Sequence, residues 1–232
     1  MKAYADTPKQ ARVIVSLADN ANQGIVPIKP SLGDGQNPRS NLYWGALYGA
    51  KTHFKRMENW SVSSLEIDNA HVLDSFALQH AVYPTPKILF EAWDGAKQKS
   101  SVEAYLQDLR NGDSANELVC FVGHNALMDL SVANVPVLET TKRANIERDR
   151  KGSVIACRSA PYFEPHHDRL GVESYVMTKG LMAPEAYVLE GFLLAWLKGE
   201  TSNKARMAAA KQYAKYQKIP LRNANWLFGV KT

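Results

Sequence analysis

His124 and Cys157 each close a short apolar run, ELVCFVGHN over residues 117–125 and GSVIACRSA over residues 152–160. A thiol becomes a nucleophile when a base holds it as thiolate and amide donors are placed to receive the oxyanion formed on the attacked carbonyl. The base comes from a neighbouring element rather than a neighbouring residue. If the two runs are adjacent parallel strands, their carboxyl ends present imidazole and thiol on one rim. The chemistry expected there is attack of sulfur on a carbonyl carbon, with the histidine moving the proton.

Each of these residues also has a plainer reading. A histidine at a strand end often serves only as a hydrogen-bonded turn residue, and a cysteine after SVIA often serves as a small buried apolar group. Asp129, five residues after His124, either orients the imidazole or is an exposed loop acid. Asp19 and Asn20 end the first strand-like run, where they line a substrate pocket or form a solvated turn. Asn125, Arg158 and Ser159 flank the two central residues and belong to the same candidate pocket, and Arg158 and Glu185 are able to select a charged group. Cys120 lies inside its run and reads as core.

The elements that must position these side chains are legible as alternating runs. Strands are expected over residues 12–18 (RVIVSLA), 87–93 (KILFEAW), 117–123, 153–156 and 175–178 (YVMT), all short, apolar and bounded by turn residues. Helices are expected from Asn37 and Pro38 through Met57, from a Ser100–Glu103 capping box to Gly112, over 184–198, and over 202–218. Residues 62–67 read as an extra strand, and residues 72–80 as either a short helix or a strand. Strands alternating with helices imply an α/β three-layer sandwich: a mostly parallel central sheet covered on both faces, with ligands at the carboxyl ends of the strands. The whole chain, residues 1–232, reads as one domain with a helical tail from about 202 to 232.

Strand then His, strand then Cys resembles the caspase, legumain and gingipain group of cysteine peptidases, the caspase-hemoglobinase fold. In that group a His follows the third core strand in a GHG-like turn, and the catalytic Cys follows the fourth in an ACxSG-like turn. The resemblance spans roughly residues 11–199, carried by about a dozen motif positions. It implies a caspase-like cysteine hydrolase, a peptidase that needs no cofactor, with Cys157 as nucleophile, His124 as general base and acid, and the amides of Gly123 and Cys157 as oxyanion donors. It also implies that the GLMAPEA segment after the fifth strand helps form the primary specificity pocket. The chain departs from the pattern at Asn125 and Ala160, where the group has Gly. Those departures suit an inactive relative that uses the same rim as a peptide- or ligand-binding module, or an enzyme acting on a small-molecule amide or ester.

Other classes find less support. Hydrophobic residues make up 45% and charged residues 22% of the chain, which suits a folded core rather than disorder. The net charge of +5 comes from 28 basic and 23 acidic residues, scattered along the chain, and the densest patch, KRANIERDRK over 142–151, carries its own acids. No nucleic-acid partner is therefore expected. The longest apolar run, 186–197, is interrupted by Glu190 and Gly191 and falls short of the roughly 18 residues a membrane span needs, so no membrane partner is expected. MKAYADTPKQ at the N-terminus lacks an apolar leader, as in a cytoplasmic protein or an exported one after leader removal. No metal site is expected: CxxC and HExxH are absent, and adjacent His166 and His167 suit one ion poorly. The loop over 22–41 holds three glycines but neither phosphate-loop signature. The expected partner is a peptide or protein substrate, and nothing in the sequence sets an oligomeric state.

Overall fold

The computed structural model describes residues 10–84, 86–111, 114–129 and 150–231. Its strands are β1 (Gln10–Ser16), β2 (Trp60–Ser64), β3 (Val72–His80), β4 (Lys87–Trp93), β5 (Asn116–Val122), β6 (Lys151–Ile155) and β7 (Glu173–Val176). They form one seven-stranded sheet in the order β2-β3-β4-β1-β5-β6-β7. The five strands from β4 to β7 in that order are parallel, and β2 and β3 join antiparallel at one edge.

Parallel strands buried on both faces read as continuous apolar runs, and β1 is such a case: Val13, Ile14 and Val15 are all fully buried. Val13, Val15 and Leu17 point to a layer formed by α1 (Ala50–Lys55), α5 (Ala186–Leu197), α6 (Ser202–Gln217) and α7 (Leu221–Leu227), through Phe54, Phe192, Tyr213 and Phe228. Ile14 points the other way, to α2 (Gln98–Arg110) and α4 (Ser159–Leu170), where Tyr105, Leu109 and Phe163 meet Phe121 and Val154. A one-turn helix, α3 (Ala126–Asp129), follows β5. Helices thus lie on both sides of a mostly parallel sheet, and no helix among the described residues is long and apolar enough to cross a membrane.

The five expected strands coincide with β1, β4, β5, β6 and β7, with ends displaced by a residue or two. The ambiguous stretch resolves as an antiparallel hairpin. Residues 72–80 are strand because Phe76 and Leu78 alternate onto the core face, a period that a helix does not satisfy.

The helix expected from Asn37 forms only at Ala50, because the buried Asn41 side chain diverts the chain. Asn41 accepts from the Ala18 and Tyr43 amides and donates to the Ala18 and Asp34 carbonyls, acting as a strand partner beyond the end of β1. The Ser100–Glu103 capping box does not form either. Helix α2 starts at Gln98, preceded by a 3₁₀ turn over Gly95–Lys97 that Asp94 caps by accepting from the Ala96 amide at 2.9 Å. Gly112 and residues 142–149 of the basic patch lie outside the described residues.

Two further features were not expected. Helix α4 begins directly after the Cys157 turn despite Pro161 and Pro165, and α6, in the tail, joins the core through Ala205, Ala209 and Ala210. At the β7 edge, the Arg206 guanidinium donates to the Ser174 and Tyr175 carbonyls at 2.7 and 3.1 Å.

Candidate active site

The β5–β6 pairing builds the site. Val122 lies beside Ile155 in a parallel register, so both strands end at the same level and release His124 and Cys157 on one rim. The chain can turn there because Gly123 takes φ +145, and a Cβ would lie 2.7 Å from the Ser16 carbonyl. Beyond the strands, the Asn125 side chain continues the connection, donating to the Cys157 carbonyl at 2.8 Å and to the Arg158 carbonyl at 3.4 Å. Arg158 adopts the left-handed conformation, φ 49 and ψ 41, which is uncommon outside glycine. Its amide donates to the Gly180 carbonyl at 2.8 Å, so the turn is held from two sides.

His124 is largely buried, and its Nε2 donates to Asp129 Oδ2 at 2.6 Å. That carboxylate also accepts from the Gly24 amide at 3.0 Å, which fixes it to the loop after β1. With Nε2–H committed to a carboxylate, the other ring nitrogen, Nδ1, is the one left to accept a proton. Cys157 is half-buried and therefore open to water. Its sulfur donates to the Met182 carbonyl at 3.3 Å and accepts from the Met182 amide at 3.4 Å. Among the described residues no hydrogen bond joins thiol and imidazole; catalytic contacts of this kind are often loose before substrate binds.

Several residues expected at the rim are framework instead. Asp19 is buried, and its carboxylate accepts from the amides of Ala21 and Asn22 at 2.8 and 3.1 Å and from Asn22 Nδ2 at 2.9 Å, so it organises the loop rather than lining a pocket. Asn20 does the same through the Ile28 amide and carbonyl. Asn125 is fully buried between the two turns. Ser159, the first residue of α4, is buried, with its hydroxyl donating to the Val154 carbonyl at 2.7 Å. The Gly123 amide, expected as an oxyanion donor, already donates to the Ile155 carbonyl at 3.2 Å. Among the described residues the Cys157 amide has no such partner.

Arg158 is exposed at the rim, and Glu185 is half-buried at the start of α5, where it accepts from the Tyr187 hydroxyl at 2.7 Å. Cys120 is fully buried in β5, and burial pushes its thiol well above the usual range. Sequence reasoning missed Gly24, whose amide donates to Asp129, while Met182, whose backbone bonds the Cys157 sulfur, lies in the GLMAPEA segment expected at the specificity pocket. The loop that carries Gly24 has three glycines and neither phosphate-loop signature, and nothing in its sequence marks a contact with Asp129.

His166 and His167 lie elsewhere, in α4. His167 is fully buried, sharing hydrogen bonds with the Tyr105 hydroxyl at 2.7 Å and the Ser174 hydroxyl at 2.8 Å. Among the described residues no group of three or more His, Cys, Asp or Glu side chains is placed to hold a metal ion. Comparison of the chain with protein-family models, with curated proteins and with solved structures finds no match.

Proposed function

We propose that this chain is a caspase-like cysteine hydrolase, a peptidase in which Cys157 is the nucleophile and His124 the general base and acid. The observation that carries this reading is the parallel β5–β6 pair, which ends in a His124–Asp129 hydrogen bond of 2.6 Å on one strand and a water-accessible Cys157 on the other. A fixed carboxylate behind Nε2 selects the tautomer whose Nδ1 accepts the thiol proton. The arrangement of a His after the third parallel strand and a Cys after the fourth, in chain order, is the one the resemblance requires.

The reaction divides into two steps. Sulfur attacks the amide carbonyl carbon as its proton passes to His124, and the Cys157 amide donates to the oxyanion. The tetrahedral species collapses with cleavage of the C–N bond, the amine leaving with the proton from His124. Water then attacks the thioester, giving its proton to His124, and the acid departs as the thiol is restored. Gly123 has no part as an oxyanion donor in this scheme.

The test is to incubate the full chain with a peptide bearing a thiol-directed ketone and to map the adduct. Modification of Cys157, abolished or slowed by about 10²-fold or more in His124→Ala, is expected. Modification of Cys120 alone, no adduct, or an unchanged rate in His124→Ala overturns the reading. A second reading, a silent peptide-binding module on the same rim, is favoured by the thiol bonding to Met182 rather than to the imidazole. Cys157→Ala separates the two, since a module keeps its partner and the parent chain cleaves nothing.

A further inference from the structure

Basic residues that look scattered along the whole chain are concentrated towards its C-terminal end. Residues 198–231 hold eight lysines and arginines against one acid, Glu200, while the remaining residues carry 20 bases against 22 acids. Helix α6 buries Ala205, Ala209, Ala210 and Tyr213. At the helical turn per residue, the face opposite those four carries Lys204, Met207, Lys211, Lys215 and Lys218, all exposed. The four lysines thus form a stripe roughly 20 Å long on the outermost line of the helix. Lys204 pairs with Glu200 at 2.7 Å, and among the described residues no acid pairs with Lys211, Lys215 or Lys218.

A lysine stripe alone is an ordinary solvated face, and the apolar groups beside it distinguish this one. Helix α7 follows α6 after three residues, buries Ala224 and Leu227 in the same core, and turns Arg222 and Trp226, one helical turn apart, outward. Trp226 is 63% exposed, whereas Trp44, Trp60, Trp93 and Trp196 are all buried. Its ring packs against Gly180, where a Cβ would lie 3.0 Å from it, and the next residue, Leu181, is 72% exposed. Cations bordered by an open indole and an open leucine match a surface that rests on anionic lipid, where lysines meet the head groups and tryptophan sits at the boundary with the acyl chains. A nucleic-acid surface has less use for an open leucine. Arg206, the arginine of α6, is in any case committed to the Ser174 and Tyr175 carbonyls.

We propose that the outer faces of α6 and α7 dock on an anionic lipid surface, with the lysine stripe against the head groups and Trp226 and Leu181 entering the interfacial layer. Attachment of this kind is peripheral and needs no spanning helix. It does not depend on Cys157 being a nucleophile.

The experiment sediments the full chain with vesicles of phosphatidylcholine alone or with about one-third phosphatidylserine, at about 0.05 M and about 0.5 M salt. At the lower salt, binding to the serine-containing vesicles is expected to exceed binding to the neutral ones by about tenfold or more, and the higher salt is expected to remove most of the difference. Lys211→Gln, Lys215→Gln and Lys218→Gln together are expected to weaken binding by about tenfold or more. With brominated lipids, binding is expected to quench part of the tryptophan fluorescence, and Trp226→Phe to abolish that quenching, since the other four indoles are buried. No binding at the lower salt, equal binding to neutral vesicles, a lysine variant that binds like the parent chain, or binding without quenching overturns the proposal. A DNA duplex retained under conditions that leave the vesicles free overturns it as well and assigns the stripe to nucleic acid. The lipid and salt comparisons use the unaltered chain, so they decide even if a variant does not fold.

Discussion

Asn125 Nδ2 donates to the Cys157 carbonyl at 2.8 Å, while Asn125 Oδ1 accepts from the Leu127 amide at 3.1 Å. One fully buried amide therefore ties the turn that carries His124 to the turn that carries Cys157 and starts α3 as well. The glycine that the resembled group has at this place offers no side chain for such a bond. The departure from the motif is thus a brace across the two turns.

Asn125→Ala removes that brace and leaves buried carbonyls short of a donor. The expected cost is about 1–3 kcal/mol in unfolding free energy by urea titration. Asn125→Asp, which sets a carboxylate against two carbonyl oxygens, is expected to cost more. Both are expected to slow peptide-ketone labelling of Cys157 beyond what their stability loss explains, measured at temperatures where each variant is folded.

Asp129→Asn keeps the shape of the side chain and removes its charge, and an expected drop of about ten- to a hundredfold in Cys157 labelling checks its role behind His124. Gly24→Ala offers an independent route to the same effect, since a Cβ there would fall 2.4 Å from Asp129 Oδ1. The carboxylate is the end of a partly exposed side chain and is able to swing aside. The substitution is therefore expected to lower reactivity with little change in stability. A labelling rate equal to that of the unaltered chain in both variants would remove Asp129 from the mechanism.

His167 sets a pH dependence of stability. Burial, with a smaller contribution from His166, lowers its pKa from 6.5 to about 4. The unfolded chain thus binds a proton that the folded chain resists, and stability falls as pH drops from about 6.5 towards 4, where the loss levels off. The full shift corresponds to an upper bound of about 3 kcal/mol. Urea midpoints across this interval should fall for the parent chain and flatten in His167→Gln, and a parallel fall in both would assign the effect to other groups.

Arg12 joins two nearly buried acids, donating to Glu91 Oε1 at 2.7 Å and to Asp108 Oδ2 at 3.2 Å. Glu91 also accepts from Trp93 Nε1 at 2.8 Å. Arg12→Ala leaves both carboxylates without their counter-ion, and the expected loss is about 3–5 kcal/mol. Arg12→Met combined with Glu91→Gln and Asp108→Asn should recover part of it, as measured by thermal unfolding.

The parallel core was legible because its strands are continuous apolar runs, and RVIVSLA or ELVCFVG has no other comfortable place than the middle of such a sheet. The common rim of His124 and Cys157 was legible for the same reason, since both follow the ends of those runs, whereas the hydrogen bond from His124 to Asp129 in α3 was one of two readings the sequence left open. Asn37 and Ser100 misled because capping preferences are local. They gave way to Asn41, which satisfies Ala18, and to Asp94, which starts the chain turning earlier. Helix α4 was hidden by Pro161 and Pro165, although Pro161 in the first turn removes an amide that needs no partner there. Asp19, Asn20 and Ser159 have the right place, but their hydrogen bonds run inward to backbone, and side-chain direction is settled by tertiary contacts.

Arg206 has a consequence for what the sheet does in company. A terminal strand with open carbonyls invites a strand from another molecule, the first step of runaway stacking. Here a guanidinium occupies two of those acceptors on β7, and a strand only four residues long offers little else to grip. An intruding chain would first have to dislodge a charged group anchored on α6, so growth of the sheet from that end is discouraged by the fold itself.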